Sequence, residues 1–234
     1  MKKWIKGALL FGAIVVLGLG SAMADEDSER SFGSFNGVKI SGPLKVELIK
    51  VETEDKCRIT YESHTTHTSR LKSEVDKSGV LNIRHKASRE HPDTLSMKIY
   101  YNTIESLYID GASVSVVGTL STRVIDMVLL SGAKLSGKVD IVDFVVEVRG
   151  SSELTLSGKS RYFDVLANSS KVDASKMRVM LADVVAESRA QVKLNVEERL
   201  VSEASMATVY YLGNPEFVRG NTSPFGGEIT PIIE

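Results

Sequence analysis

The sequence predicts an all-β protein: a right-handed parallel β-helix (a solenoid) with short coils of about 19 residues and β caps at both ends. Three observations lead there. First, one phrase recurs six times between Thr103 and Gly213: a small residue, one polar position, then a branched apolar anchor. The anchors are Val114, Leu135, Leu154, Val172, Val192 and Val209, with gaps of 21, 19, 18, 20 and 17 residues. The small residues two before them are Ala112, Ala133, Ser152, Ser170, Ala190 and Ala207. Side chains alternate across a strand, so each small residue shares the anchor's inward face and leaves room for the coil to bend. Second, an apolar pair precedes the corners: Leu107/Ile109, Val128/Leu130, Val146/Val148 and Val165/Ala167. The third coil then carries one extra residue before its corner, which reads as a bulge. Third, the period excludes other repeat folds. A propeller blade needs roughly 40 to 45 residues, and a hexapeptide prism needs a stricter six-residue spacing than these gaps allow. Parallel crossovers are right-handed in about 98% of cases, which sets the expected hand.

Taken in order, residues 1–24 read as a cleaved signal peptide. Lys2, Lys3 and Lys6 supply the positive start, and Ala22-Met23-Ala24 the small-x-small cleavage pattern. The apolar run between them falls short of the ~20 residues a membrane span requires. No cysteine lies near the cleavage site, so the mature chain is expected to be exported, periplasmic or at the cell surface, and not lipid-anchored. Residues 25–31 are charged and read as a flexible leader. Residues 32–102 are expected to supply strands that cap and start the solenoid. Val38/Ile40 and Leu44/Val46/Leu48 alternate on either side of the corner Ser41-Gly42-Pro43. Further strands are read at residues 58–61, 80–83 and 97–100, a short helical turn at 66–75, and a charged turn at 84–93. Residues 103–214 carry the β-helix repeats, in which Gly118, Gly158 and Gly213, four past an anchor, suit turns needing positive φ. Residues 215–234 form the C-terminal cap or tail, since a solenoid end left open invites aggregation.

Charge excludes several partner classes. Removing the leader takes three lysines from 29 basic side chains and leaves 26 against 30 acids, a net charge near −4. No run of lysine and arginine is present, which argues against nucleic acid and against an anionic membrane surface. Cys57 is the single cysteine, so no intramolecular disulfide forms. Between Lys56 and Arg58 in a strand-like stretch, it reads as a half-buried hydrophobe rather than a reactive thiol.

The ends of the chain resemble a known family. Its opening is matched by Phe35-Asn36-Gly37-Val38, residues 40–48 (Ile-Ser-Gly-Pro-Leu-Lys-Val-Glu-Leu) and residues 79–84 (Gly-Val-Leu-Asn-Ile-Arg). Its terminal motif is matched by Val209-Tyr210-Tyr211-Leu212-Gly213-Asn214-Pro215. The family is the domain of unknown function described as "putative auto-transporter adhesin, head GIN domain". Its repeated Ser-Gly-Ser-Gly corners survive here in altered form, as Ser131-Gly132-Ala133, Gly150-Ser151-Ser152, Asn168-Ser169-Ser170 and Ser188-Arg189-Ala190. The resemblance implies an exported β-helical protein, often from Gram-negative bacteria, and brings no catalytic residue with it. Residues 215–234, with Pro224, Gly226, Gly227 and Pro231, do not read as the barrel strands of an autotransporter's translocator.

Candidate chemistry is sparse. His64 and His67 stand three apart, and with His85 and His91 they are the residues a metal site would draw on. No carboxylate or cysteine supports that spacing, so a solvated loop is the expectation and no metal or cofactor is assigned. Asp140 and Asp143, with Lys138 and Arg149 nearby, are the nearest paired carboxylates, as a β-helical polysaccharide lyase or hydrolase would need. They fall at the start of a coil, where Asp commonly serves a turn. Tyr100, Tyr101, Tyr108, Tyr210 and Tyr211 are read as strand-forming cap residues rather than contact patches. The sequence therefore points to a non-enzymatic, adhesin-like binding module of the cell envelope. Its expected partners are a glycan or a surface protein, and a β-helical carbohydrate-active enzyme is the alternative. Catalytic, cofactor-binding and metal-binding residues are left unassigned.

Overall fold

The structure, a computed structural model, describes residues 27–62, 70–86 and 94–232. Its elements are almost all strands. The N-terminal part holds β1 (Asp27–Ser31), β2 (Gly37–Ser41), β3 (Leu44–Lys50), a single 3-10 turn (Glu54–Lys56), β4 (Arg58–Glu62), β5 (Leu71–Val75), β6 (Val80–His85), β7 (Leu95–Tyr101) and β8 (Ser106–Asp110). Five long strands follow: β9 (Ser113–Leu130), β10 (Lys134–Arg149), β11 (Glu153–Asn168), β12 (Lys171–Glu187) and β13 (Gln191–Ser205). The last part holds β14 (Thr208–Leu212), β15 (Phe217–Thr222) and β16 (Glu228–Pro231). The segment read as a helical turn contains β5 instead, and residues 63–69 lie outside the described residues. Leu71 is buried and its neighbours alternate outward, so this segment follows the two-residue period of a strand.

Each long strand is one whole coil of a β-solenoid, paired in parallel with the coils above and below. Within a coil the strand is interrupted twice. In β10 the first is a register shift against β9 at Gly137 and the second a slip in the alternation at Val142/Asp143, which divide the coil into three walls. We call them B (residues 134–136), C (138–141) and A (143–149), with the equivalent residues of the other coils. A tight corner of two or three residues then leads from wall A back to wall B.

The predicted anchors stack. Val46, Val114, Leu135, Leu154, Val172, Val192 and Val209 are successive partners across wall B, and all are buried. Each such side chain contributes roughly 1.5–3 kcal/mol by leaving water. The apolar pair of the second coil is displaced by one residue from the sequence expectation. Met127 and Leu129 face inward, paired with Val146 and Val148, while Val128 and Leu130 are half-exposed on the outer face. With that register the extra residue of the third coil disappears, because its corner matches the preceding one. Register irregularities lie instead at the wall B/C junction, between Ser136 and Lys138, between Thr155 and Ser157 and between Ala174 and Arg178, with one more at the wall C/A junction between Val179 and Leu181.

Inside wall A the side chains shrink along the axis. One inward column runs Ile83, Ile40, Ile109, Leu129, Val148, Ala167, Ala186 and Ala204. The interior therefore needs less side-chain volume towards the C-terminal coils. Phe144 and Phe163, partners on adjacent coils with ring centroids 4.9 Å apart, fill its middle.

The order of coils is not the order of the chain. β2 lies between β6 and β8, and β3 between β7 and β9. The β2–β3 coil thus sits above the β6–β7 coil that follows it in sequence. Below, antiparallel strands close the end: β4 on β7, β1 on β4, and β5 on β6. At the other end residues 217–231 do not cross over the stack; β15 and β16 continue it in parallel on β13 and β14. Among the described residues no helix is long and apolar enough to cross a membrane.

Candidate functional site

The outward residues of wall B form a polar ladder: Ser113, Lys134, Glu153, Lys171, Gln191 and Thr208, paired in register. Lys134 Nζ lies 3.1 Å from Glu153 Oε2, so opposite charges face each other on adjacent coils. A second outward row includes Thr155, Asp173 and Lys193. The Ser175 hydroxyl donates to Asp173 Oδ1 at 2.6 Å and holds that carboxyl below its ordinary range, helped by the Ser175 backbone N–H and by Lys193 and Lys176.

Beside this ladder runs the corner stack. Ser131, Ser151, Ser169 and Ser188 all have φ between 50° and 63°, the left-handed region that non-glycine residues rarely enter. The coil-to-coil hydrogen bonds continue through the corner and hold them there: Ser151 N donates to Ser169 O, Ser169 N to Glu187 O, and Ser188 N to Ser205 O. The buried second serines turn inward, with Ser152 Oγ donating to Arg149 O at 2.6 Å and Ser170 Oγ to Val148 O at 2.8 Å. The result is a groove of about 340 Å³ lined by Ser151, Ser169, Ser188 and Arg189. A second groove of about 310 Å³ between Thr155, Asp173 and Lys193 shares Glu153, Lys171 and Gln191 with it. Together they make a strip of hydroxyls along the axis, with the Gln191 amide and the mixed charges of Glu153, Lys171, Asp173, Arg189 and Lys193. Such a surface offers hydrogen-bonding groups along its length without enclosing a cavity.

The carboxylates singled out in the sequence do not converge. Asp140 lies on wall C, 3.3 Å from Lys159 Nζ, and the corner at Val142 carries Asp143 onto wall A. There Asp143 joins Asp164 and Asp183, a grouping that 19- to 21-residue spacings conceal in the linear sequence. Burial and the neighbouring Asp183 and Asp143 push the Asp164 carboxyl up, against the pull of Arg199, which is ion-paired with Asp183. Asp164 and Asp183 stand on an exposed wall rather than in a cleft. Lysines gather elsewhere: Lys134, Lys138, Lys159, Lys171, Lys176 and Lys193 all project from walls B and C.

His64, His67 and His91 lie outside the described residues. His85 is buried at the end of β6, and among the described residues no three His, Cys, Asp or Glu side chains are grouped to hold a metal ion. Cys57 is buried, and burial pushes its thiol up, with Glu54 and Asp55 adding to the shift. A groove of about 420 Å³ beside it includes Asn36 and Asn102, whose amides are engaged with Glu105 and with the carbonyls of Val51 and Glu52. The tyrosines do not form one patch. Tyr101 is buried, while Tyr100, Tyr108 and Tyr210 lie on outer walls under Arg58, Lys39 and Lys193.

The coil architecture recurs in solved structures. A "putative adhesin" from Bacteroides fragilis superposes with a TM-score of 0.78 at 12% identity, over 88% of this chain and 96% of that one. A "putative adhesin" from Parabacteroides merdae gives a TM-score of 0.62 at 14% identity, over 89% and 96%. A "putative lipid binding protein" from Parabacteroides distasonis gives 0.61 at 14% identity, over the same shares. At these identities the likeness is one of fold. No curated protein matches the chain. The family described as "putative auto-transporter adhesin, head GIN domain" matches residues 34–215, from the loop before β2 to the turn after β14, and the chain belongs to that family.

Proposed function

We propose that this protein is an exported, non-enzymatic binding module of the cell envelope, which engages an extended glycan along wall B and its serine corner. The groove past Ser151, Ser169, Ser188, Lys171 and Gln191 carries this reading. A solenoid wall is rigid before it binds, which lowers the ordering cost of holding a long ligand. The leader at residues 1–24 supports delivery to the periplasm or cell surface.

A glycan array probed with residues 25–234, with hydrolysis followed on the same panel, tests it. The expected result is binding without turnover, weakened at least about tenfold (about 1.4 kcal/mol) by Lys171→Ala with Gln191→Ala. Cleavage of a polysaccharide, abolished by Asp140→Ala, Asp143→Ala or Asp164→Asn, would establish the carbohydrate-active enzyme instead.

A further inference from the structure

We propose that the last coil is a pairing surface for a second copy of this chain, joined edge to edge through β15 about a two-fold axis. Two independent observations converge on it. The first is the backbone. Among the described residues β15 pairs with β13 alone, so its outer side presents a row of N–H and C=O groups without a strand partner. Such an edge is a template for another strand. The second is the side chains. Large apolar residues are exposed at both ends of this strand: Phe217 at 51% and Val218 at 41% where it starts, and Phe225 at 82% in the turn just past its end. Val218 pairs with the fully buried Leu200 and belongs to the interior column, yet among the described residues it stays 41% exposed. The open interior at Val218 and the exposed rings flanking the edge leave apolar surface there for a partner strand to cover.

The occupant follows from the asymmetry of the two ends. The opposite end is closed by the antiparallel strands β1, β4 and β5, which carry the exposed Glu29, Arg30, Lys72 and Glu74. Head-to-tail stacking into a filament would need a parallel, apolar edge there and does not find one. An edge placed against its own copy meets an identical partner, and a two-fold closes the assembly at a dimer.

Charge then selects the register. Val218, Gly220 and Thr222 face inward and Phe217, Arg219 and Asn221 outward, because their partners Leu200, Ser202 and Ala204 are buried. In an antiparallel pair, opposed residues share a face, so the axis must pass through a residue rather than between two. An axis at Arg219 would oppose two guanidinium groups, which is unfavourable. An axis at Gly220 sets Arg219 against Asn221 and Val218 against Thr222. It also brings the Ser223–Phe225 end of one strand over Phe217 of the second copy, covering both rings. The wall A sheets of the two copies become continuous.

Sedimentation velocity on residues 25–234, with amide exchange at low and high protein concentration, tests the proposal. A dimer with a Kd below about 100 μM is expected. Amides of residues 217–222 should become protected as it forms, while those of β1 and β5 do not change. Phe217→Ser with Phe225→Ser, both exposed positions, should weaken the dimer at least about tenfold and leave the far-ultraviolet circular dichroism unchanged. Overturning results are a monomer throughout that concentration range, or a dimer whose 217–222 amides exchange as in the monomer. A dimer unaffected by the double serine variant would also overturn it. None of these outcomes depends on glycan binding by wall B.

Discussion

A Cβ placed on Gly158 would lie 2.0 Å from the carbonyl oxygen of Val139 on the coil below. Gly158 also has φ of 108°, outside the region that L-residues tolerate. Gly158→Ala therefore combines a backbone clash with a strained dihedral, and should destabilise the protein by at least about 2 kcal/mol. Urea denaturation checks this, and a loss under about 0.5 kcal/mol would mean that the coils part more easily than their spacing implies.

Leu154 is flanked by two fully paired coils, so truncation leaves a cavity that cannot collapse. Leu154→Ala should cost about 2–5 kcal/mol. Lys134 and Glu153, on the solvent side of the same ladder, should show a coupling well under about 1 kcal/mol in a double-mutant cycle. Similar costs for the two would contradict the inside/outside assignment of wall B.

Tyr101 is buried with its hydroxyl lacking a hydrogen-bond partner among the described residues, and burial pushes its pKa up to about 12. Tyr101→Phe should be neutral to stabilising by about 1 kcal/mol at neutral pH, since it removes an unsatisfied group. The folded state holds the phenol proton more tightly than the unfolded state. The native protein should therefore lose stability as pH rises through about 10 towards about 12, and the variant should lose less. Thermal unfolding at alkaline pH reads this directly.

Asp164 faces Asp183 across the β11–β12 ladder, and its raised pKa means that the ionised carboxylate opposes folding. Asp164→Asn should raise the melting temperature at pH 7. The gain should vanish as pH falls below about 3, where the carboxyl is protonated in both folded and unfolded states. A gain independent of pH would point to packing rather than charge.

Ser151 sits in the left-handed corner at φ 63°, where glycine is more easily accommodated. Ser151→Gly should stabilise the fold by about 0.5–1 kcal/mol while weakening glycan binding, because the hydroxyl lines the groove. Chemical denaturation and the glycan array measure the two effects on one variant. A loss of stability would show that the serine serves the corner rather than a ligand.

The sequence by itself determined the repeat, the walls' inward face and the stacking of the anchors. Residues such as Leu135, Leu154 and Val172 recur at one face of a strand, and burial rewards that recurrence wherever the coils go. It failed at residues 127–130, where Met-Val-Leu-Leu is apolar at every position and alternation carries no phase. Tertiary structure alone decided that the β2–β3 coil lies between β7 and β9, because backbone pairing uses the same N–H and C=O groups whichever strand arrives. It also decided which charges meet. Asp164 and Asp183 are distant in the chain and register partners on wall A, with Asp143 near enough to act on Asp164, while Asp140 and Asp143, three apart, are parted by the corner at Val142. The serine groove of wall B was visible only as altered corner motifs until the coils stacked them. Adjacency across a solenoid is set by the coil period, which a linear reading of neighbouring residues does not follow.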